Sequence, residues 1–350
     1  MAFSSEIIAW YHQHKRDLPW RHTTDPYVIW LSEVILQQTR VAQGLPYFYR
    51  FLTHYPNVAA FAAASEEEIL VHWQGLGYYS RARNMHHAAK TVVAEYDGVF
   101  PHRYDDLVRL KGIGTYTAAA IASFAANEAK AVLDGNVFRV LARYFGIEEP
   151  INSSKGKKLF AMLADEMLDR TCPGLYNQAV MEFGAIQCKP ASPDCGNCVL
   201  RTDCRALLNG QVAQLPVKLK AKASRNRYFN YFVVRKGDQI VMQKRAKGDI
   251  WENLYELPLV ETPHPVDIPE LAVNPEVIDA FGEKADLKLI GEPVKHVLSH
   301  QNLFAQFVEV TLQKPLDEKK ISGNYVFIKD LGTLAKPKLM YSFLKDYVIE

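Results

Sequence analysis

Four of the five cysteines, Cys188, Cys195, Cys198 and Cys204, fall in one short stretch with six, two and five residues between them. A chain of 350 residues that is 48% apolar needs no disulfide framework to fold, and an odd thiol, Cys172, is left outside the group. The crowding therefore points to a metal centre in a reducing compartment, around which a compact loop must close. Four thiolates so placed suit either zinc or an iron–sulfur cluster. Zinc sites usually present two Cys-x-x-Cys knuckles, and only Cys195–Cys198 has that form. Cys172 reads as a small buried hydrophobe.

The length implies two domains. A formal charge of +2 and a pI near 8.1 say little about partners, although a local basic face can hide behind such a total. No run approaches the ~18–20 apolar residues of a membrane span. Glu6 interrupts the apolar pattern of the N-terminal segment, which spoils it as a signal peptide. The expectation is a cytoplasmic protein with no membrane association.

Residues 5–15 read as a helix, and Asp25-Pro26 as the start of another, a capping carboxylate before a first-turn proline. The second helix is almost wholly apolar, yet it holds Glu33 and ends at Gln37-Gln38-Thr39. An ionised carboxylate among Ile29, Trp30, Val34 and Leu36 is costly to bury. Taken alone, Glu33 reads as a solvent-facing edge; the polar groups beside it favour a functional role. Ser65 and Glu68 form a capping box. Gln74–Ser80 is a glycine-punctuated turn carrying Leu76 and Tyr78 ahead of Arg81 and Arg83, suited either to a wedge in a base stack or to ordinary core contacts. Helical patterns follow over 116–126, 136–145, 155–170 and 175–187.

In Leu110–Thr115, two glycines one residue apart, Gly112 and Gly114, permit positive φ and leave backbone N–H groups uncovered at a helix start. Such a turn is a nest for a phosphate. Asp134 then precedes Gly135-Asn136 and a further helix, where N–H groups and the macrodipole favour an ionised carboxylate. From Gln211 to Arg227 the chain carries five basic residues and no acidic one, a linker whose charge either tracks phosphates or is merely solvated. Beyond it, β runs at 228–234, 239–244, 303–310 and 325–328, with a helix over 275–284, imply an α+β second domain.

Together, SEVILQQT, GLGYYSRARN, LKGIGTYT, LDGNVFRVLAR and the cysteine loop resemble the MutY family of adenine DNA glycosylases. The resemblance implies a mostly α region, 1–210, with a helix-hairpin-helix at 110–126 and a [4Fe-4S] cluster on Cys188, Cys195, Cys198 and Cys204. A basic linker, 211–227, and a Nudix-like α+β domain, 228–350, complete the expected chain. It also implies hydrolysis of the N-glycosidic bond of adenine opposite 8-oxoguanine or guanine in double-stranded DNA, by base flipping. Glu33, given a raised pKa by its apolar helix, would protonate adenine N7. Asp134 would stabilise an oxocarbenium ion, with Tyr116 and Asn136 assisting. Related glycosylase/lyases carry lysine where this chain has Tyr116, so strand cleavage should be weak or absent. Trp20, Arg21 and Leu36 would surround adenine, Gln38, Thr39, Leu76 and Tyr78 the opposing base, and Gly112 and Gly114 a phosphate.

Asp249-Ile250-Trp251 with Leu254–Pro258 echoes a Nudix start, but no Arg-Glu-x-x-Glu-Glu box for Mg²⁺ follows, which argues against a Nudix hydrolase. Leu298-Ser299-His300 resembles the family's 8-oxoguanine-reading loop, with Leu where Phe is common. The implied protein is a monomer, with replication or repair proteins as candidate partners. The competing readings are an endonuclease III-like lyase and a non-catalytic iron–sulfur DNA-binding protein.

Overall fold

The computed structural model describes residues 2–220, 223–312 and 323–349. Its contacts divide the chain into two units, Met1–Ala63 with Asn84–Ala221, and Ala64–Arg83 with Lys222–Glu350. Residues 64–83, which the sequence reading placed within a continuous helical region, thus group with the C-terminal part. The helices are Ala2–His14 (α1), Pro26–Leu36 (α2), Val41–His54 (α3), Val58–Ala63 (α4), Glu66–Trp73 (α5), Ser80–Glu95 (α6) and Tyr104–Leu107 (α7). They continue as Thr115–Ala126 (α8), Gly135–Phe145 (α9), Ser154–Met167 (α10), Pro173–Glu182 (α11) and Arg205–Leu208 (α12). Among the described residues no helix is long and apolar enough to cross a membrane.

In the first unit, α2 begins as its sequence dictates: Asp25 accepts a hydrogen bond from the Tyr27 N–H and Pro26 occupies the first turn. A cap of this kind stabilises a helix by about 1 kcal/mol. Trp30 then packs against Phe61 and Phe100. A second core is built from α1, α8, α9, α10 and α11, with Phe160, Phe183 and Ile7 fully enclosed. Gly112 takes φ +84°, and a Cβ there would lie 2.6 Å from that of Asn84, so glycine is required twice over. Gly114 has an ordinary φ of −85° and caps α8, so only Gly112 uses the positive φ that both glycines permit. Helix α10 ends at Met167, short of residue 170, because Leu168 turns extended. Cys172 is half-exposed at the start of α11 rather than buried.

Segment 211–219 runs along this unit: Ile151 N–H donates to the Val217 carbonyl, and the Asn152 amide pairs with the Leu219 backbone in both directions. Arg225–Arg227, read as the end of a linker, instead open the first strand. The Arg227 guanidinium is bound to Asp249 and Glu261, which leaves it committed to the fold.

The second unit contains strands Arg225–Lys236 (β1), Gln239–Lys244 (β2), Tyr255–Glu256 (β3), Leu259–Thr262 (β4), Asp286–Val297 (β5), Gln301–Thr311 (β6) and Gly323–Phe327 (β7). The main path is β3-β2-β1-β6-β5, with β4 paired to β1 and β7 to β2; β1 and β6 run parallel. Side chains alternate across β1, as the pleat requires. Phe229, Tyr231 and Val233 face a core shared with helix Lys338–Ile349, whereas Phe232 and Val234 face helices Ile268–Ala272 and Pro275–Phe281.

Candidate active site

A cavity of about 520 Å³ in the first unit collects nine of the residues singled out from the sequence: Trp20, Arg21, Glu33, Leu36, Gln38, Thr39, Tyr116, Asp134 and Asn136. Helix α2 brings Glu33, the first turn of α8 brings Tyr116, and the cap of α9 brings Asp134. The Tyr116 hydroxyl donates to Glu33 Oε2 at 2.7 Å. Glu33 is buried, so the solvent-edge alternative does not hold. Burial, aided by the negative charge of Asp134 and opposed by the Tyr116 bond and Arg21, pushes its carboxyl up to about 7.

Asp134 accepts from the Asn136 and Val137 N–H groups at 2.9 and 2.8 Å, and from the Asn136 side-chain amide at 2.7 Å. Burial nevertheless raises its pKa above the ordinary carboxylate value, with these three donors and Arg139 opposing. That corrects the expectation that a helix start would simply favour the ionised form. The cavity wall that excludes water outweighs the cap.

Asn136 is itself held from behind. Arg139 donates to Asn136 Oδ1, to the Gly184 carbonyl and to the Cys188 carbonyl. The close approach is possible because Gly184 has no Cβ; one would lie 2.7 Å from that of Asn136. A chain of hydrogen bonds therefore runs from Asp134 to the backbone of the first clustered cysteine.

The sequence reading missed Glu182, Arg16 and Gln178 on the same cavity. Glu182, at the end of α11, accepts from the Arg16 backbone N–H, from Arg16 Nε and Nη2, and from Arg21 Nη2, all between 2.6 and 2.9 Å. Burial would raise its pKa, but the Arg16 and Arg21 donors prevail and hold it at about 2. The signal was present: like Glu33, Glu182 is a lone acid in an apolar helical run.

The four clustered cysteines line a second, separate cavity together with Val140, Phe183 and Leu207. Arg143 closes the loop over it, donating to the Lys189, Pro190 and Leu215 carbonyls and to Cys188 Sγ at 3.4 Å. Burial raises the thiols of Cys195, Cys198 and Cys204, that of Cys198 to about 11. Among the described residues no three His, Cys, Asp or Glu side chains are gathered as around a single ion.

The remaining expected residues lie elsewhere. Gly112 and Gly114 form the turn into α8, whose N-terminus carries no side-chain cap. In the second unit Leu76 is buried and Tyr78 is 46% exposed, which separates the core and wedge readings between the two. The Tyr78 hydroxyl meets Ser299 Oγ at 2.8 Å, and His300 is exposed beside it.

Residues 31–164, which include Glu33, the glycine turn and Asp134, match the HhH-GPD superfamily base excision DNA repair protein model. The fold and cavity thus define a base-excision DNA glycosylase, and residues 230–346 match the NUDIX domain. A thermostable thymine-DNA glycosylase superposes with a TM-score of 0.55 at 30% identity, covering 59% of this chain and 95% of that one. An endonuclease III–DNA complex, at 22% identity and a TM-score of 0.52 over 59% and 94% of the two chains, shares the fold. The adenine DNA glycosylase of Buchnera aphidicola subsp. Baizongia pistaciae is 32% identical over 90% of this chain and 87% of its own length. The Homo sapiens adenine DNA glycosylase is 41% identical over 61% of this chain and 41% of its own. The chain belongs to the adenine DNA glycosylase family.

Proposed function

We propose that this enzyme hydrolyses the N-glycosidic bond of adenine mispaired with 8-oxoguanine or guanine in duplex DNA, leaving an abasic site. The observation that carries this reading is the joint presence of Glu33, Tyr116 and Asp134 on one cavity large enough for a flipped purine. Adenine departs as an anion unless its ring is protonated. A carboxyl titrating near 7 holds a proton where it can pass to N7. The bond then breaks with positive charge on the sugar; Asp134, ionised as that charge develops, stabilises the cation until water adds at the anomeric carbon and gives up a proton, which completes the hydrolysis. Tyr116 orients the Glu33 proton, and Asn136 fixes the Asp134 carboxylate. Trp20, Arg21 and Leu36 enclose the base, with Arg21 steered by Glu182. Tyr78, Ser299 and His300 of the second unit contact the opposing base, while Leu76 serves the core beneath the turn, and the Gly112–Gly114 turn of the first unit grips a phosphate.

Tyr116 offers no amine, so no Schiff base forms and the strand is left intact. A duplex with a central A:8-oxoguanine pair is the direct test. Breakage only after alkali, with no adduct trapped by borohydride, is expected; breakage without alkali would favour the lyase.

Cys188, Cys195, Cys198 and Cys204 would hold a [4Fe-4S] cluster. The all-thiol donor set around one apolar cavity fits it, with Arg143 offsetting thiolate charge. When bound, the cluster cross-links the loop; this chain's residues do the chemistry. The purified protein should contain iron and acid-labile sulfide in equal amounts, and Cys198→Ala should lose both along with soluble yield. Zinc without sulfide would refute the assignment. Residues 1–210 would then serve as catalytic region and 228–350 as damaged-base reader, in the cytoplasm.

A further inference from the structure

We propose that Lys336 is a positioning residue that aims the turn Gln74–Ser80 at the base opposite the excised one; this rests on the reading of Tyr78 and Ser299 given above. Residues 64–83 group with the C-terminal part of the chain, and two of the hydrogen bonds that hold the turn meet at the backbone of one residue. The Lys336 N–H donates to Gln74 Oε1 at 3.0 Å, and its carbonyl accepts from the Tyr79 hydroxyl at 3.0 Å. One residue thus grips both ends of the turn.

Its side chain, 3% exposed, turns inward and donates to the Leu331 and Leu334 carbonyls. Burying an ammonium group is expensive unless it is well bonded, and burial lowers this one to about 8. What the buried lysine achieves is a fixed backbone at 331–336, hence a fixed pair of grips.

The turn needs such holding. Gly75, Gly77 and Tyr78 have φ of +101°, +74° and +48°, and a tyrosine persists in the left-handed region only where its surroundings impose it. Trp73 Nε1 and Arg81 Nη2 both donate to the Gly77 carbonyl, and the Arg81 guanidinium lies over the Tyr78 ring. The exposed hydroxyl of Tyr78 then meets Ser299, so that turn and reader loop form one tip. Glu67, bonded to Lys244 and Tyr255, secures α5 without touching the turn.

The test uses the full chain and duplexes carrying A:8-oxoguanine or A:G, with half-saturating enzyme concentration and saturating rate measured separately. Lys336→Met and Gln74→Leu should each raise half-saturation on the 8-oxoguanine duplex by about tenfold, the scale of one lost hydrogen bond. The saturating rate should be kept and the preference over A:G compressed. Lys336→Arg should restore part of the preference, and Glu67→Ala should leave it intact. Combining Gln74→Leu with Tyr78→Phe should cost no more than the worse single change. Additive losses, a reduced saturating rate alone, or an unchanged preference in a folded Gln74→Leu protein would overturn the proposal. A wild-type protein with no preference for 8-oxoguanine would instead overturn the functional reading beneath it.

Discussion

Glu33→Gln is expected to slow adenine release by about 10²–10⁴-fold, the usual worth of a positioned acid. Glutamine preserves the acceptor for the Tyr116 hydroxyl but has no proton to give. The same substitution should stabilise the fold at alkaline pH. Glu33 is raised from 4.5 to about 7 in the folded protein. Below 4.5 it is neutral folded and unfolded alike, and the burial does no harm. Between pH 4.5 and 7 the unfolded chain gives up this proton while the folded state keeps it, so the folded state is increasingly penalised, and above 7 the penalty levels off at about 3 kcal/mol. Thermal melts of the two proteins should therefore coincide near pH 4, with the variant melting higher at pH 8. An unchanged excision rate, or a variant less stable than wild type at pH 8, would contradict both roles assigned to this residue.

Asp134→Asn separates charge from capping. Asparagine is as good a helix cap as aspartate, so α9 should form as before. With the asparagine oxygen kept on the cap, the Asn136 side-chain amide faces an NH2 donor in place of Oδ2, so that one hydrogen bond is lost, at a cost of about 1–3 kcal/mol. Excision should fall by about 10²–10³-fold, because the developing sugar cation has lost its counter-charge. Single-turnover rates alongside melting curves check this. A fall in rate matched by wholesale unfolding would point to a merely structural carboxylate.

Local chemistry made much of this legible in the sequence. Asp25-Pro26 and Ser65–Glu68 announced helix starts that the structure contains, because capping depends on neighbours a few residues apart. Glu33 stood out because an acid in an apolar helix demands an explanation. Glu182 carried the same signal, but its meaning rests on Arg16 and Arg21, more than 160 residues away, and pairing at that distance leaves no local mark. Strand β5 escaped for a different reason. It lies at the sheet edge with almost no buried face, so no alternation is imposed, and Pro293 falls within its irregularity between Ile290 and Val294. The direction of the Asp134 shift was misjudged because a cap is visible in sequence, whereas the depth of the cavity around it is not. The grouping of residues 64–83 with the C-terminal unit likewise arises from contacts such as Tyr79 to Lys336, invisible along the chain.

The most direct measurement is the pH dependence of kcat/KM for adenine release, which reports the acid and base of the free enzyme. With a protonated Glu33 as donor, the rate should be level just below pH 7 and fall about tenfold per unit above it; the Glu33→Gln residual activity should lack that alkaline limb. A wild-type profile that stays flat through pH 7, or a limb that survives unchanged in the variant, would show that the proton comes from somewhere else.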